Sequence, residues 1–291
     1  MSYELQLLVT GLAIGSVYGL VALGFVLLVN STNILNFAQG EFAMVGAFVM
    51  STLVLNWGVP YIPAFVMTLV VAGVVGIIFE RLAYRPMKQA DIATYLASTI
   101  AASVLMRNIV LKIWGPYPTS FQEPFGMNML QLGSVRVRPQ DLLIVAFTAV
   151  LVVALYFFLF RTGTGKKLRA MSQDRLASQL IGIRVLRMGT LTFILASAVG
   201  AIAGVLVAPI YFVNLDMGFI MGLKAFIATI IGGWGSVPGA IVGGLVVGLV
   251  ETFATAHISS VYKDVFAFVL LIVILIVRPQ GIFGEKVEDK A

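Results

Sequence analysis

The chain has 291 residues, of which 60% are hydrophobic and 11% charged, whereas soluble domains carry about 45–50% and about 25%. A soluble fold of this length lacks the interior to hide so much apolar surface, so a soluble protein is excluded and lipid is the expected solvent. The lack of cysteine excludes disulfides, thiolate metal sites and a cysteine nucleophile, and the net charge of +6 lies in short loops, which argues against nucleic acid as a partner.

Long uncharged stretches predict membrane-spanning helices. No ionisable acid or base lies between Glu4 and Glu41 or between Glu41 and Glu80, and each gap exceeds the roughly 20 apolar residues that cross a bilayer. We therefore predict an all-α polytopic membrane protein with about eight transmembrane helices. The predicted spans are about Leu5–Val29, Phe42–Trp57, Ile62–Phe79, Ile92–Ile113, Leu142–Phe160, Thr190–Val213, Leu223–Thr255 and Val265–Val277.

The first of these spans is too long for the apolar region of a signal peptide, so we expect it to stay in the membrane. The seventh contains the run Gly232-Gly233-Trp234-Gly235-Ser236-Val237-Pro238-Gly239, which should break a helix. The broken segment is either a re-entrant hairpin or two tilted spans, and this choice decides the side of the carboxyl terminus. Irregular backbone at membrane depth survives only within protein or beside a wet cavity, which makes Gly233, Gly235 and Ser236 candidates for a translocation path.

Charge fixes the orientation. The loop from Arg161 to Arg187 holds seven of the nineteen basic residues against Asp174 alone, so it is predicted to be cytoplasmic. By alternation the proline-rich segment from Gly115 to Gln140 is irregular extracytoplasmic structure, and the amino terminus lies outside.

Polar residues near or inside predicted spans are the other candidates for the path. They are Asn30, Asn33, Asn36, Gln39 and Glu41. Lys224 is expected to lie near an interface and extend its amine to the headgroups, while Arg107 and Glu251 are left open. Glycines four residues apart, such as Gly200 and Gly204, predict close helix packing within the chain or against a second subunit.

Catalysis is not expected. The run Gly163-Thr164-Gly165-Lys166-Lys167 has Lys167 where a phosphate-binding loop needs Ser or Thr, and it follows a span rather than a strand. His257 is the only histidine, so it makes neither a metal site nor a catalytic pair. The chain is therefore predicted not to be an enzyme and to hold no cofactor.

Several motifs resemble one family almost end to end. Leu12–Phe48 contains Gly15-Ser16-Val17-Tyr18-Gly19-Leu20 and Asn33-Ile34-Leu35-Asn36-Phe37-Ala38-Gln39-Gly40-Glu41. The other passages are Arg169–Met171 through Gly182-Ile183, Ala203–Leu206 followed by Pro209, Gly232–Ala240 with Gly243-Gly244, and Arg278–Gly284. Together they resemble the LivH-type permeases of ABC importers for branched-chain amino acids.

The resemblance implies one permease domain over residues 1–291, in the bacterial inner membrane, acting by alternating access. It implies a second permease subunit (a LivM-like chain or a second copy), two cytoplasmic ATPase subunits and a periplasmic substrate-binding protein. Residues 161–189 would be the loop that docks on the ATPase. Its candidate residues are Arg169, Asp174, Ala177, Gly182 and Arg184.

Within this loop the sequence departs from the Glu-Ala-Ala...Gly pattern of the family. Leu176 and Ser178 stand where Glu and the second Ala are usual, while a helix ending near Gly182 is still expected. Two alternatives stay open: a secondary transporter or channel acting alone, which would need an acid such as Glu41 or Glu251 for ion coupling, and an ABC permease for urea or short amides.

Overall fold

The computed structural model describes residues 2–32, 35–87, 91–121, 129–132 and 135–284. The described elements are α1 (Ser2–Thr32), α2 (Gln39–Ser51, continued by a π turn at Thr52–Asn56), α3 (Tyr61–Phe79, continued by Glu80–Tyr84 and Arg85–Met87), α4 (Ile92–Trp114), β1 (Leu130–Leu132), β2 (Val135–Val137), α5 (Pro139–Arg161), α6 (Gly163–Gln173), α7 (Arg175–Leu180), α8 (Val185–Val207), α9 (Met217–Gly232), α10 (Val237–His257) and α11 (Lys263–Val277).

The prediction of an all-α polytopic membrane protein is confirmed. Among the described residues, six helices are long and apolar enough to cross a membrane: α1, α3, α4, α5, α8 and α10. The count of eight is not confirmed, because α2, α9 and α11 have 13, 16 and 15 residues. Sheet is limited to the antiparallel pair of β1 and β2 within the described part of the chain.

Helix α1 is the central element, because 89% of its most apolar 18-residue stretch is buried inside the protein. Its glycines face α10: a Cβ added to Gly15 would lie 2.7 Å from the Cα of Leu245, and one added to Gly11 would lie 3.2 Å from the Cα of Leu249. In lipid, helices gain little from hiding apolar surface, so such close backbone contact supplies much of the packing energy. The predicted role of the spaced glycines as packing sites is confirmed here.

The predicted helix break is confirmed at residues 233–236. Helix α9 ends at Gly232, and Gly233 and Gly235 have φ angles of 110° and 77°, which favour glycine. Ser236 caps α10, because its Oγ accepts a hydrogen bond from the N–H of Gly239 at 3.1 Å. The break therefore joins two helices, α9 and α10, which pack against each other.

The chain beyond α11 returns to this break. The N–H of Ile282 donates to the carbonyl of Ile231 at 2.8 Å, and the N–H of Phe283 donates to the carbonyl of Gly232 at 2.9 Å. The side-chain amide of Asn30, near the end of α1, donates to the carbonyl of Gly235 at 3.0 Å. Asn30 and several residues of α6 line the same cavity, which has a volume of about 450 Å³. The end of α1, the break, residues 278–284 and the basic loop thus share one end of the molecule, the basic end.

The opposite end carries the start of α1. His257 contacts Glu4 at 3.2 Å, and the side-chain amide of Gln6 donates to the carbonyl of Arg136 in β2 at 2.9 Å. The segment predicted to be irregular contains the short hairpin of β1 and β2, and its residues 122–128 and 133–134 lie outside the described residues. Residues 278–284 therefore lie on the same side as the basic loop, which its charge predicts to be cytoplasmic.

One predicted boundary is wrong. The sixth span was expected to reach Val213, but α8 ends at Val207. Residues 208–216 are irregular, and Val213 pairs with Thr119 through backbone hydrogen bonds of 2.9 Å. A helix cannot offer its backbone to a neighbouring strand in this way, so the pairing fixes the segment as a loop of the opposite end.

Candidate functional site

Helix α2 begins inside the bundle. The side-chain amide of Gln39 donates to the carbonyl of Ala196 at 2.9 Å, and Ala196 is the midpoint of α8, about 16 Å from either end of that helix. Asn36 shapes the approach, because its Oδ1 accepts from the N–H of Ala38 at 3.1 Å and its carbonyl from the N–H of Gln39 at 3.0 Å. The polar segment after α1 therefore enters the protein interior.

Glu41 lies in the first turn of α2 and is only 2% exposed. Its Oε1 accepts a hydrogen bond from Ser103 of α4 at 2.9 Å, and Oε2 lies against Gly218 of α9. A carboxylate at a helix amino terminus is stabilised by the unpaired N–H groups there. Three helices thus meet at this side chain.

Several polar atoms of this cluster have no hydrogen-bond partner among the described residues. They are Asn36 Nδ2, Gln39 Oε1 and Glu41 Oε2. Each such buried atom costs about 1–3 kcal/mol unless water or a ligand satisfies it. The cluster is therefore suited to contact water or a polar solute. Asn33, predicted to belong to the same path, lies outside the described residues.

Gly233, Gly235 and Ser236 lie elsewhere, at the basic end. Gly235 and Ser236 line the cavity of about 450 Å³, and both also line a second one of about 760 Å³. Trp234 and Gln280 contribute to the larger cavity. The structure therefore places the predicted path residues at two sites: the interior cluster of Asn36, Gln39 and Glu41, and the break.

The predicted docking loop is formed mainly by two helices. Asp174 begins α7, where its Oδ1 accepts from the N–H groups of Leu176 and Ala177 at 2.8 and 3.0 Å. The predicted end near Gly182 is confirmed: α7 ends at Leu180, and Gly182 has a φ of 84°. Asp174 and Gly182 thus shape the helix.

The two arginines predicted for docking differ. Arg169 is held within the chain, because its Nε donates to the carbonyl of Leu159 at 3.1 Å and its guanidinium lies 4.4 Å from the centre of the Phe160 ring. Arg184 is exposed, as is Ala177.

An apolar ridge on this loop was missed by sequence reasoning. Leu176, Leu180 and Ile181 project from the basic end, and Leu180 is 88% exposed. We refer to these three side chains as the ridge. The signal was three large apolar residues in an otherwise polar segment, and such an exposed patch indicates an interaction site. Ser178, which departs from the family pattern, faces inward and is buried.

The expectation for Lys224 is wrong. It is 4% exposed and forms ion pairs with Glu251 of α10, itself 6% exposed, and with Asp264 of α11 at 2.9 Å. The hydroxyl of Tyr18 in α1 donates to Glu251 Oε2 at 3.0 Å. The amine finds its counter-charge inside the protein, so it has no need to reach the headgroups.

Arg107 and His257, by contrast, lie at exposed positions. Arg107 forms an ion pair with Asp216, before the start of α9, and both side chains are exposed. His257 contacts Glu4 at the opposite end. The pair of Glu4 and His257 is exposed at the end of the molecule, where such pairs contribute about 0–1 kcal/mol, so it does not mark a site.

Comparison with known proteins gives concordant matches. A family model described as the permease component of the branched-chain amino acid transport system matches residues 7–275. The chain is 35% identical to the high-affinity branched-chain amino acid transport system permease protein BraD of Pseudomonas aeruginosa, over 99% of this chain and 98% of that protein. It is 34% identical to LivH of Escherichia coli K12, with the same coverage.

More distant matches extend the comparison. A probable branched-chain amino acid transport permease protein LivH of Methanocaldococcus jannaschii is 28% identical, over 91% of this chain and 88% of that protein. Among solved structures, PsaBC from Streptococcus pneumoniae in complex with Fab matches with a TM-score of 0.50 and 15% identity, over 97% of this chain and 94% of that chain. At this identity the likeness concerns the fold alone.

Proposed function

Because the chain belongs to the permease-component family of branched-chain amino acid transport systems, we propose that it is the membrane-spanning permease subunit of an ABC importer for these amino acids. The observation that carries the proposal is the match over nearly the whole length to permeases of that name. The six long apolar helices support a multi-pass location in the bacterial inner membrane.

The partners follow from this function. Two cytoplasmic ATPase subunits supply the energy, a periplasmic binding protein delivers the substrate, and a second permease subunit completes the path. The ridge of Leu176, Leu180 and Ile181 is the contact with an ATPase subunit, with Ala177 and Arg184 beside it. Asp174 and Gly182 hold α7 in the shape that presents the ridge, and Arg169 fastens α6 to α5.

Transport proceeds by alternating access. ATP binding moves the ATPase subunits, and α7 passes that motion to α6 and α8, which it adjoins in the chain. Helix α8 holds Gln39 through Ala196, so a shift of α8 reaches the cluster of Asn36, Gln39 and Glu41 directly. The unpaired polar atoms of that cluster are suited to a wet path that opens and closes.

The ridge provides the first test. Changing Leu180 and Ile181 together to Asp should abolish recovery of the ATPase with the tagged chain, since each buried apolar contact at such an interface contributes about 2 kcal/mol and a charge there is desolvated. The measurement is affinity purification from gently solubilised membranes, followed by identification and quantitation of the copurified subunits.

Val261→Asp is the matched control, because Val261 is 81% exposed and lies at the opposite end. It should leave ATPase recovery at the level of the unchanged chain. Equal recovery with the double variant would contradict the docking role of the ridge. Uptake into vesicles that needs no ATP, follows a proton gradient and is lost on Glu41→Gln would contradict the importer itself and favour a carrier acting alone.

A further inference from the structure

A small cavity of about 170 Å³ lies towards the opposite end of the molecule, away from α6 and α7. Its walls come from α1, the loop after α8, α9, α10 and the first residue of α11. This volume lies below the range of drug-sized ligand pockets, so the cavity suits a solute of few atoms. Neither the predicted path nor the docking loop includes any of its residues.

The inner part of the cavity is charged and buried. Lys224 and Glu251 are the ion pair described above, and Tyr18 adds a hydroxyl to the Glu251 carboxylate. The Lys224 amine also lies 5.4 Å from the centre of the Tyr18 ring. Transferring two charges from water into the protein interior costs free energy, so a buried ion pair by itself contributes little to the stability of a fold. Ionisable groups placed inside a membrane protein instead indicate a functional site.

The outer part of the cavity is accessible. Tyr211 and Ile220 line it and are exposed, and Asn214 belongs to the loop of the opposite end. Lys263 adds a second amine. Since the basic end is cytoplasmic by its charge, this cavity faces the side from which an imported solute arrives.

The remaining wall is apolar and formed by Ile14, Val17, Val207 and Met221. A molecule that carries one positive and one negative charge and a short apolar side chain matches all three parts. Its carboxylate can replace Glu251 beside Lys224, and its ammonium can replace Lys224 beside Glu251 and Tyr18. Each buried charge then keeps an opposite partner throughout the exchange, which avoids the cost of an unpaired charge in the interior.

We propose that this cavity is a binding site for the zwitterion of an aliphatic α-amino acid. Lys224 and Glu251 bind its two charges, and the apolar wall contacts its side chain. The inference rests on the proposed import function and gives it a substrate contact within the permease. Without ligand, Lys224 and Glu251 satisfy each other, so the empty site is stable.

The test is direct binding of tritiated leucine to the assembled importer in nanodiscs, without the binding protein. Competitors are unlabelled leucine, leucinol, which lacks the carboxylate, and 4-methylpentanoate, which lacks the ammonium. Leucine should displace the label, and the two analogues should be weaker by about tenfold or more. In this site 4-methylpentanoate leaves the buried Glu251 without a cation, and leucinol leaves Lys224 with only the half-exposed Asp264. Equal competition by either analogue would overturn the proposal.

A matched pair of variants locates the site. Ile220→Trp narrows the opening and should weaken leucine binding by about tenfold or more, whereas Phe219→Trp, on an exposed neighbour that does not line the cavity, should leave it unchanged. Met221→Ala enlarges the cavity on its apolar side and should raise the affinity for phenylalanine relative to leucine. Unchanged binding by Ile220→Trp together with unchanged selectivity by Met221→Ala would overturn the assignment.

ATP-driven uptake into proteoliposomes, measured with the binding protein present, separates this inference from the proposed function. Import of leucine by a complex that shows no leucine binding of its own would refute the site and keep the importer. Zwitterion binding in a complex that imports no branched-chain amino acid would refute the importer and keep the site.

Discussion

Replacing Lys224 by methionine is expected to destabilise the protein by about 3–5 kcal/mol, because the change leaves the buried carboxylate of Glu251 without its cation. Tyr18 still donates to that carboxylate but cannot neutralise it. The measurement is the unfolding temperature of the detergent-solubilised chain, monitored as the fraction of protein that stays monodisperse after heating to each temperature.

Two companion variants isolate the cause. Glu251→Gln should cost less than Lys224→Met, because the amine keeps Asp264, at 2.9 Å, as a partner. The double change of Lys224 and Glu251 to methionine should recover most of the lost stability, since apolar residues of similar volume replace a buried pair at little net cost. A double variant as unstable as Lys224→Met would show that packing, and not the unpaired charge, accounts for the loss.

Gly204→Ala is expected to cost about 3 kcal/mol, near the upper end for overpacking, and to disturb the contact between α8 and α2. The added Cβ would lie 2.9 Å from the Cα of Ala43, closer than real Cβ atoms approach, and the nearest atoms belong to backbone rather than to a flexible side chain. Since α2 begins with Gln39 and Glu41, ATP-driven uptake should fall together with thermal stability.

Gly189→Ala on the same helix is the control for helix propensity. Outside the adjoining residues and the backbone of its own helix, no atom lies within 4 Å of the position a Cβ would take there, so the change should be neutral or stabilise by about 0.5–1 kcal/mol. If both variants behaved alike in heating and uptake, close approach at Gly204 would not be the reason for the glycine.

The predicted spans that agree best with the structure are those set by composition along the chain. Ile92–Ile113 was expected and α4 is Ile92–Trp114; Leu142–Phe160 was expected and α5 is Pro139–Arg161. An apolar run in lipid must be helical to satisfy its backbone, so length and hydropathy suffice. Boundaries set by a partner were missed, as at Val207, where the following loop pairs with the distant residue Thr119.

The candidate site divides in the same way. Asn36, Gln39 and Glu41 were predicted as path residues because polar residues inside apolar spans are uncommon. Their burial depends on α2 beginning against the middle of α8, which no local pattern indicates. Lys224 was misplaced because its partners Glu251 and Asp264 are distant in the chain. Charge in an apolar run is visible in the sequence, whereas its counter-charge is not.

The sequence by itself determined that this chain crosses a membrane many times, that a helix breaks after Gly232 and that the chain resembles branched-chain amino acid permeases, and it predicts that the basic loop faces the cytoplasm. Each of these features depends on local composition or on the order of motifs, both of which are properties of neighbouring residues in the chain. Only the tertiary structure decided which glycines meet which backbones, that residues 278–284 return to the break, and that Lys224 and Glu251 face each other beside a cavity. These features depend on the packing of helices distant in the chain, because in lipid the energy that selects partners lies in close contact and counter-charge rather than in hydrophobicity.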